Sequence, residues 1–479
     1  MVFQNDILAG SSGASGTSTA VHTIDQSIRF NFGDSPYMYK TPSITGNRKK
    51  FTNSFWFKPS SKLGVYRALP SVHTTESGGS YGMFFSTADV LQVFTYFNGS
   101  SWQGLHYSNR VFRDVSAWYH FVWAVDTTQA VSSERVRIYI NGVRETSWSS
   151  ESYPSLNQDT SFNHSGEAIN IGKDHNAGYY PDGYGAEIHY LDGYAYGPEY
   201  FGEFNSDGIW IPKQYTGSYG TNGFYIKGED SADLGNDSSG NNNDFTASGL
   251  AAHDQVSDSP TNNWCVMNPN NTNSSMTLSN GNLQSTASAH TGSGASILLP
   301  STGKWYCEFR YNSGLNNEYP VVGVYNTIKN LSTTAVNPGL TSGDLDIGFG
   351  VDGRRNEDNT KTTSWMNTIA NGNIGAIAID TENKKIWFGH NNSGSFVWQA
   401  SGDPSAGTNE ANTKDFADDL IFGNSHYGGT NLTWNFGQDG TFGGTETAQG
   451  NSDANGVGNF YYAPPTGYLA LCTKNLGAD

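Results

Sequence analysis

Short runs of alternating aromatic and aliphatic residues, each closed by Gly, Asn, Asp or Ser, recur along almost the whole chain. No other feature constrains the fold as much. "RVRIYI" (135–140) puts Val136, Ile138 and Ile140 on one face and Arg135, Arg137 and Tyr139 on the other, the period of a half-solvated strand. In "HFVWAVD" (120–126) both faces are apolar, which predicts a central strand. No long segment repeats its apolar residues at helical spacing. With 57 glycines, 14% aromatic residues and 15% charged residues, many short aromatic strands between tight turns are expected. The fold class that follows is all-β, built of antiparallel sandwiches. At 479 residues the chain exceeds one ordinary core and implies two or three domains.

Charge narrows the function. The 26 basic and 44 acidic residues leave a net charge of −18, which repels phosphate backbones and anionic lipid. Nucleic-acid binding is therefore not expected, and no apolar run is long enough to predict membrane insertion. Cys265, Cys307 and Cys472 are odd in number and unclustered, and Cys307 alternates with Trp305 and Phe309 on one strand face, as a small buried apolar residue would. The start, "MVFQNDILAGSSGASGTSTAVHT", has neither the basic head nor the apolar stretch of a secretory signal, so folding in a reducing cytosol is expected.

Composition also divides the chain. Residues 1–24 form a Gly/Ser/Thr-rich leader around Val2, Phe3, Ile7 and Leu8, too little apolar surface to fold alone. They read as an extended N-terminal attachment arm. Strand patterns fill 25–228, an Asn/Asp/Ser-rich connector with short strands spans 229–299, and a second strand series fills 300–479. A domain boundary is expected within 229–263. Two stretches echo each other: "WAVDTTQAVSSERVRIYING" from Trp123 and "AIAIDTENKKIWFGHNNSG" from Ala376. Both read as scaffold hairpins. Asp126 and Asp380 would cap the first turn, Asn141-Gly142 and Ser393-Gly394 would close the next, and Ile138/Ile140 and Ile386/Phe388 would point inward.

The ordered set "FTNSFWFKP", "SAWYHFVWAVD", "RVRIYINGVRETSW", "AINIGKD" and "YPDGYGAEIHYLDGYAYGPEYFG" resembles a laminin-G-like, concanavalin-A-like jelly roll over 25–228. "GKWYCEFRY", "VVGVYN", "DIGFGVDG", "NIGAIAIDTENKKIWFGHNNSG", "LTWNFGQ" and "PPTGYLALC" resemble a SPRY domain over 300–479. The leader, the jelly roll, the joint "DSPTNNWCVMNPNNTNSSMTLSNGNLQ" and the SPRY half together resemble virion structural proteins of marine tailed bacteriophages. Fold alone fixes no function.

Catalytic signals are sparse. Jelly-roll glucanases carry a Glu-x-Asp-x-x-Glu strand, because glycoside cleavage needs two carboxylates across one cleft. "GAEIHYLDG" offers Glu187, but Tyr190 breaks the spacing and Asp192 reads as a turn residue before Gly193. The 11 histidines show no His-x-x-x-His pair, and no nucleophile elbow or phosphate loop is present in the sequence. No catalytic residue is expected, and no cofactor beyond calcium. Asp230, Asp233, Asn236, Asp237 and Asp244, with Asn241 and Asn243, offer hard oxygen ligands at flexible spacing, which suits calcium and equally suits turn capping.

Binding signals are richer. Trp102, Gln103, His106 and Tyr107 in one loop, and Asp174, His175, Tyr179 and Tyr180 in another, pair aromatic faces with polar groups as sugar sites do. In the second half, Arg354, Arg355 and Trp365 lie on a long polar loop. Trp102 or Trp365 could equally cap a core, and tyrosine pairs also line subunit interfaces. What the resemblance implies is a tail-fibre or appendage subunit, exposed on the virion after assembly in the host cytoplasm. Its arm would hold other virion proteins, its loops would bind a host-surface glycan or protein, and it would form a homo-oligomer, a trimer by class. A capsid decoration protein is the second reading and a polysaccharide depolymerase the third.

Overall fold

The computed structural model describes residues 22–61, 63–76, 79–97, 101–174, 178–314, 318–327, 329–333, 336–343, 345–392 and 394–477. The arm residues Val2, Phe3, Ile7 and Leu8, with His175 and Ser393, lie outside them, and Trp102 is described only in its backbone.

Alternation builds two main sheets in each of two units, 1–263 and 264–479, antiparallel except where Leu469–Ala470 pairs parallel with Lys304–Ser313; Gly202–Phe204 and Trp210–Pro212 add a two-stranded sheet to the first unit. In the first unit, one sheet runs in the order Val143–Arg144, Val136–Ile140, Tyr119–Asp126, Lys50–Pro59, Gly183–Asp192, Ser27–Phe30, Gln255–Val256. The other runs Trp148–Glu151, Trp102–Val111, Val90–Phe97, Gly79–Phe85, Val72–Glu76, Ile169–Ile171, Tyr37–Lys40, Thr246–Ser248. Their inner faces bury Phe51, Phe55, Trp123, Ile138, Ile140 and Ile188 in one apolar core. The outer face of the first sheet is also covered. Trp56, Trp118, Tyr184 and Trp210 form one cluster there, and Val122, Leu191, Phe201 and Tyr215 another. That is why "HFVWAVD" is apolar on both sides.

In the second unit, one sheet runs Met267–Thr272, Thr291–Ala295, Leu420–His426, Val321–Asn326, Ile347–Gly350, Arg355–Glu357, Thr360–Thr362. The facing sheet runs Thr277–Ser279, Gln284–Ala287, Thr430–Asn435, Lys304–Ser313, Ile374–Asp380, Lys385–Asn392, Ser395–Trp398. Trp305, Cys307 and Phe309 share the core with Ile386 and Phe388. All three cysteines are buried free thiols. The fold is an all-β pair of antiparallel sandwiches.

Both scaffold hairpins form. Asp126 accepts the Thr128 N–H at 3.0 Å, and Asp380 accepts the Asn383 N–H at 3.0 Å. Asn141 and Gly142 take φ of 49° and 78°, and Gly394 takes 94°.

The 229–299 connector is corrected. Its first part belongs to the first unit: Leu234 and Phe245 enter that core, Thr246–Ser248 adds an edge strand, and Lys58 meets Asp258 at 2.7 Å in a buried ion pair. Residues 264–299 supply four strands to the second unit. Low apolar density misled the reading because a few well-spaced apolar residues dock a segment whose polar groups are satisfied by turns.

Candidate functional site

Strand Trp102–Val111 replaces the expected first loop, and alternation splits its candidates between two faces. His106 is fully buried, edge-on to Trp148 and to Tyr153 at 5.1 Å each. Burial pushes its imidazole down to about 4, so the ring is neutral at pH 7. Gln103 receives the Ser155 hydroxyl at 3.5 Å. Tyr107 turns to the outer face of the second sheet, 5.8 Å from Phe94.

That outer face gathers residues far apart in sequence. Phe94 meets Phe84 at 5.7 Å, Phe84 meets Tyr66 at 5.4 Å, and Tyr66 meets Tyr179 at 4.6 Å. The Tyr66 hydroxyl donates to Gln92 at 2.7 Å, and burial, with Tyr107, Asp174 and Tyr179 nearby, raises its pKa. A separate group pairs Tyr180 with Tyr37 at 6.2 Å; Lys173 sits over Tyr37 at 4.3 Å, and Tyr39 beside it is 41% exposed. Asp174 is buried. Two of the expected ligand loops thus meet on one aromatic band. Tyr66, Tyr37 and Lys173 were missed, and the alternation in "YMYK" was the available signal for Tyr37 and Tyr39.

The second-unit candidates are corrected. Arg354 is buried, donates to the Glu318 carboxylate at 2.7 Å and its carbonyl at 2.9 Å, and lies 5.3 Å over Tyr319. The Arg354 hydrogen bond holds Glu318 below its ordinary range. Arg355 donates to the Ala411 carbonyl at 2.7 Å and stacks 5.8 Å over Trp365. Trp365 packs on Phe349 at 5.3 Å and lids the core. These cations brace loops, because a guanidinium inside a sandwich rim is stable only when carboxylates and carbonyls surround it.

The connector carboxylates spend their oxygens on donors. Asp237 accepts the N–H groups of Tyr225, Ser239 and Asn243 and the Ser239 hydroxyl, all within 2.9 Å. Asp244 accepts the Asp237 N–H at 2.9 Å, and Asp230 the Ala232 N–H at 2.9 Å. Lys40 reaches Asn243 at 2.6 Å. This donor set fits turn capping. Among the described residues, Asp233 and Asn236 included, no three acidic, histidine or cysteine groups are arranged to hold a metal.

Glu187 occupies a bulge in strand Gly183–Asp192 and takes φ of 51°, a conformation a non-glycine residue holds only under constraint. Its carboxylate accepts from the Tyr225 hydroxyl and faces His22 Nε2 at 3.0 Å and His189 Nε2 at 3.5 Å. Burial acts to raise its pKa, but the bonds from His189, His22 and Tyr225 outweigh it and hold Glu187 below the usual carboxylate range. Asp192 accepts the Asn47 N–H at 2.7 Å, the Asn163 amide at 3.0 Å and the Asn222 N–H at 3.0 Å. One acid is therefore locked in a polar cluster and the other clamps loops, so the two do not form an acid–nucleophile pair.

Residues 32–192 match the family model described as the concanavalin A-like lectin/glucanases superfamily. This region is concanavalin A-like. Such a domain points to carbohydrate or protein binding. No curated protein matches the chain. Solved structures similar to it include the SPRY domain of human HERC1, at 14% identity over 35% of this chain and 96% of that one, TM-score 0.26. The TRIM65 PSpry domain is similar at 12% identity over 36% and 89%, TM-score 0.27. A heptameric SAP-like pentraxin from Limulus polyphemus is similar at 16% identity over 37% and 80%, TM-score 0.27. Within the concanavalin A-like unit the aromatic band buries Phe84 and Phe94, while Tyr39 is exposed.

Proposed function

We propose that this chain is a virion structural protein, a tail-fibre or appendage subunit that binds a host-surface glycan or protein without cleaving it. One observation carries the non-catalytic half: Glu187 is enclosed by its own partners and Asp192 is engaged by loop N–H groups. The band from Tyr107 through Tyr66 to Tyr179 offers aromatic faces to a partner, and copies repeated on a particle would add avidity. The arm at Val2, Phe3, Ile7 and Leu8 would dock on other virion proteins, and trimers are the expected assembly. The virion reading itself rests on the resemblance of the ordered motifs to phage structural proteins. Labelled antibody against the purified chain tests it: staining on the tail appendage is expected, and staining confined to the capsid shell would replace it with the decoration reading. Excess free chain should block particle adsorption. Release of reducing ends from host glycans, lost in Glu187→Gln, would overturn the non-catalytic reading.

A further inference from the structure

Lys58 stands two positions after Trp56 on strand Lys50–Pro59, so both point to the covered outer face of the first sheet. Its side chain is wholly buried, with Nζ 5.5 Å over the ring of Tyr184. That nitrogen donates to Asp258 Oδ2 at 2.7 Å and to Asn263 Oδ1 at 2.7 Å.

One tight turn brings the acid and the amide together. Ser259 and Asn262 exchange backbone hydrogen bonds at 3.0 and 3.1 Å, so the residues flanking them, Asp258 and Asn263, emerge side by side. The Ser259 and Thr261 hydroxyls pin this turn to the Ile24 carbonyl at 2.5 and 2.7 Å. Trp118 Nε1 donates to Asp258 Oδ1 at 3.0 Å, and Asn263 Nδ2 donates to the Ser116 carbonyl at 2.6 Å. The carbonyl side of the Asn263 amide therefore faces the lysine. A buried ion pair needs only the lysine and the acid. The third member adds an electrophile, because the Asn263 carbonyl carbon is one bond from the oxygen that Nζ touches.

We infer that Lys58 and Asn263 join in an intramolecular amide bond, with Asp258 as the proton carrier. Asp258 takes one proton from the Lys58 ammonium, and the freed lone pair forms a bond to Asn263 Cγ. Asp258 gives that proton to Nδ2 as the Cγ–Nδ2 bond breaks. The second Nζ proton then passes through Asp258 to the departing nitrogen, which leaves as ammonium. An ammonium and a primary carboxamide thus become a secondary amide and free ammonium, with no oxidant, reductant or other co-reactant. Fixed contact replaces a bimolecular encounter, and the carboxylate supplies the acid–base step. Burial also keeps competing water from the carboxamide. The bond closes a loop across 205 positions, from a central strand to the last residue of the first unit, and so removes freedom from the unfolded chain.

Peptide mapping by tandem mass spectrometry on the reduced, denatured full chain tests this. The wild type should be lighter than its sequence mass by one ammonia, and a branched peptide should join Lys58 to Asn263. Linear peptides carrying unmodified Lys58 and Asn263 would overturn the proposal. So would an ammonia loss located at another asparagine, as a succinimide gives. Asn263→Ala, which keeps the Lys58–Asp258 ion pair, should restore the full mass. Asp258→Asn should leave at least about tenfold less cross-linked chain, and Asp258→Glu, which keeps a carboxylate, should recover it. Cross-linking in Asp258→Asn equal to that of the wild type would overturn the role given to the acid. The wild-type map decides the bond by itself, whether or not each variant folds.

Discussion

Glu187 and Glu308 both sit on central strands of their units, buried, beside a tyrosine hydroxyl, and they titrate in opposite directions. Glu187 is held low by His22, His189 and Tyr225 against the pull of burial. Glu308 is fully buried, and burial pushes it up to about 7 although it accepts the N–H groups of Tyr461 and Tyr462, the Asn435 amide and the Tyr306 hydroxyl. The difference lies in the partners. At Glu187 the side-chain hydrogen bonds from His189, His22 and Tyr225 outweigh desolvation, whereas at the fully buried Glu308 desolvation outweighs the amide and hydroxyl donors. A carboxylate buried on a jelly-roll strand is thus no sign of catalysis until its neighbours are known.

The same contrast extends to pH. In the first unit, burial lowers His73 and His106 to about 4 and His120 to about 3. A histidine depressed in the fold binds fewer protons than in the unfolded chain, so its stabilisation is present above pH 6.5 and lost as pH falls. Acidification from pH 6.5 to 4 should therefore cost the first unit about 3 kcal/mol per histidine. This is the largest expected effect. Urea titrations read by pulse proteolysis, with fragments assigned by mass, would break the comparison if the first unit's midpoint held steady over that range.

Glu308 reverses the sign. Raised in the fold, it binds more protons than the unfolded chain between pH 4.5 and 7, so its contribution to the second unit falls by about 3 kcal/mol as pH rises through that window. His426, lowered to about 3 by burial, opposes it on the acid side. The difference between wild type and Glu308→Gln isolates the carboxylate, and equal pH slopes in the two would refute it. Glu187→Gln should cost about 2 kcal/mol at pH 7, with the deficit shrinking as pH falls below 4.5, because the depressed carboxylate stabilises only above its unfolded pKa. An effect of similar size concerns Asp237. Asp237→Ala should destabilise the first unit by about 2 kcal/mol through lost buried hydrogen bonds, while a calcium chelator should leave the melting temperature of the wild type unchanged. A melting point that drops on chelation would restore the calcium reading.

Much of the scaffold was legible. Turn carboxylates Asp126 and Asp380, the inward faces of Ile138 and Phe388, and the core side of Cys307 all depend on neighbours within a few positions. The candidate sites were less so. Tyr107 and Tyr179 were named in separate loops, and Tyr66 joins them; Arg354 was taken for a rim cation and is buried on Glu318. The stretch 229–263 looked like linker because its few apolar residues say nothing locally of the core they enter.

Strand period, turn chemistry and the all-β class were determined by the sequence itself, because alternation and positive-φ turns act over two to four residues. Which side chains meet was decided only by the tertiary structure. His22 reaches Glu187 across 165 positions, and Lys58 reaches Asp258 across 200. Such pairings come from sheet order and register, which bring distant strands together after each has already taken its local form.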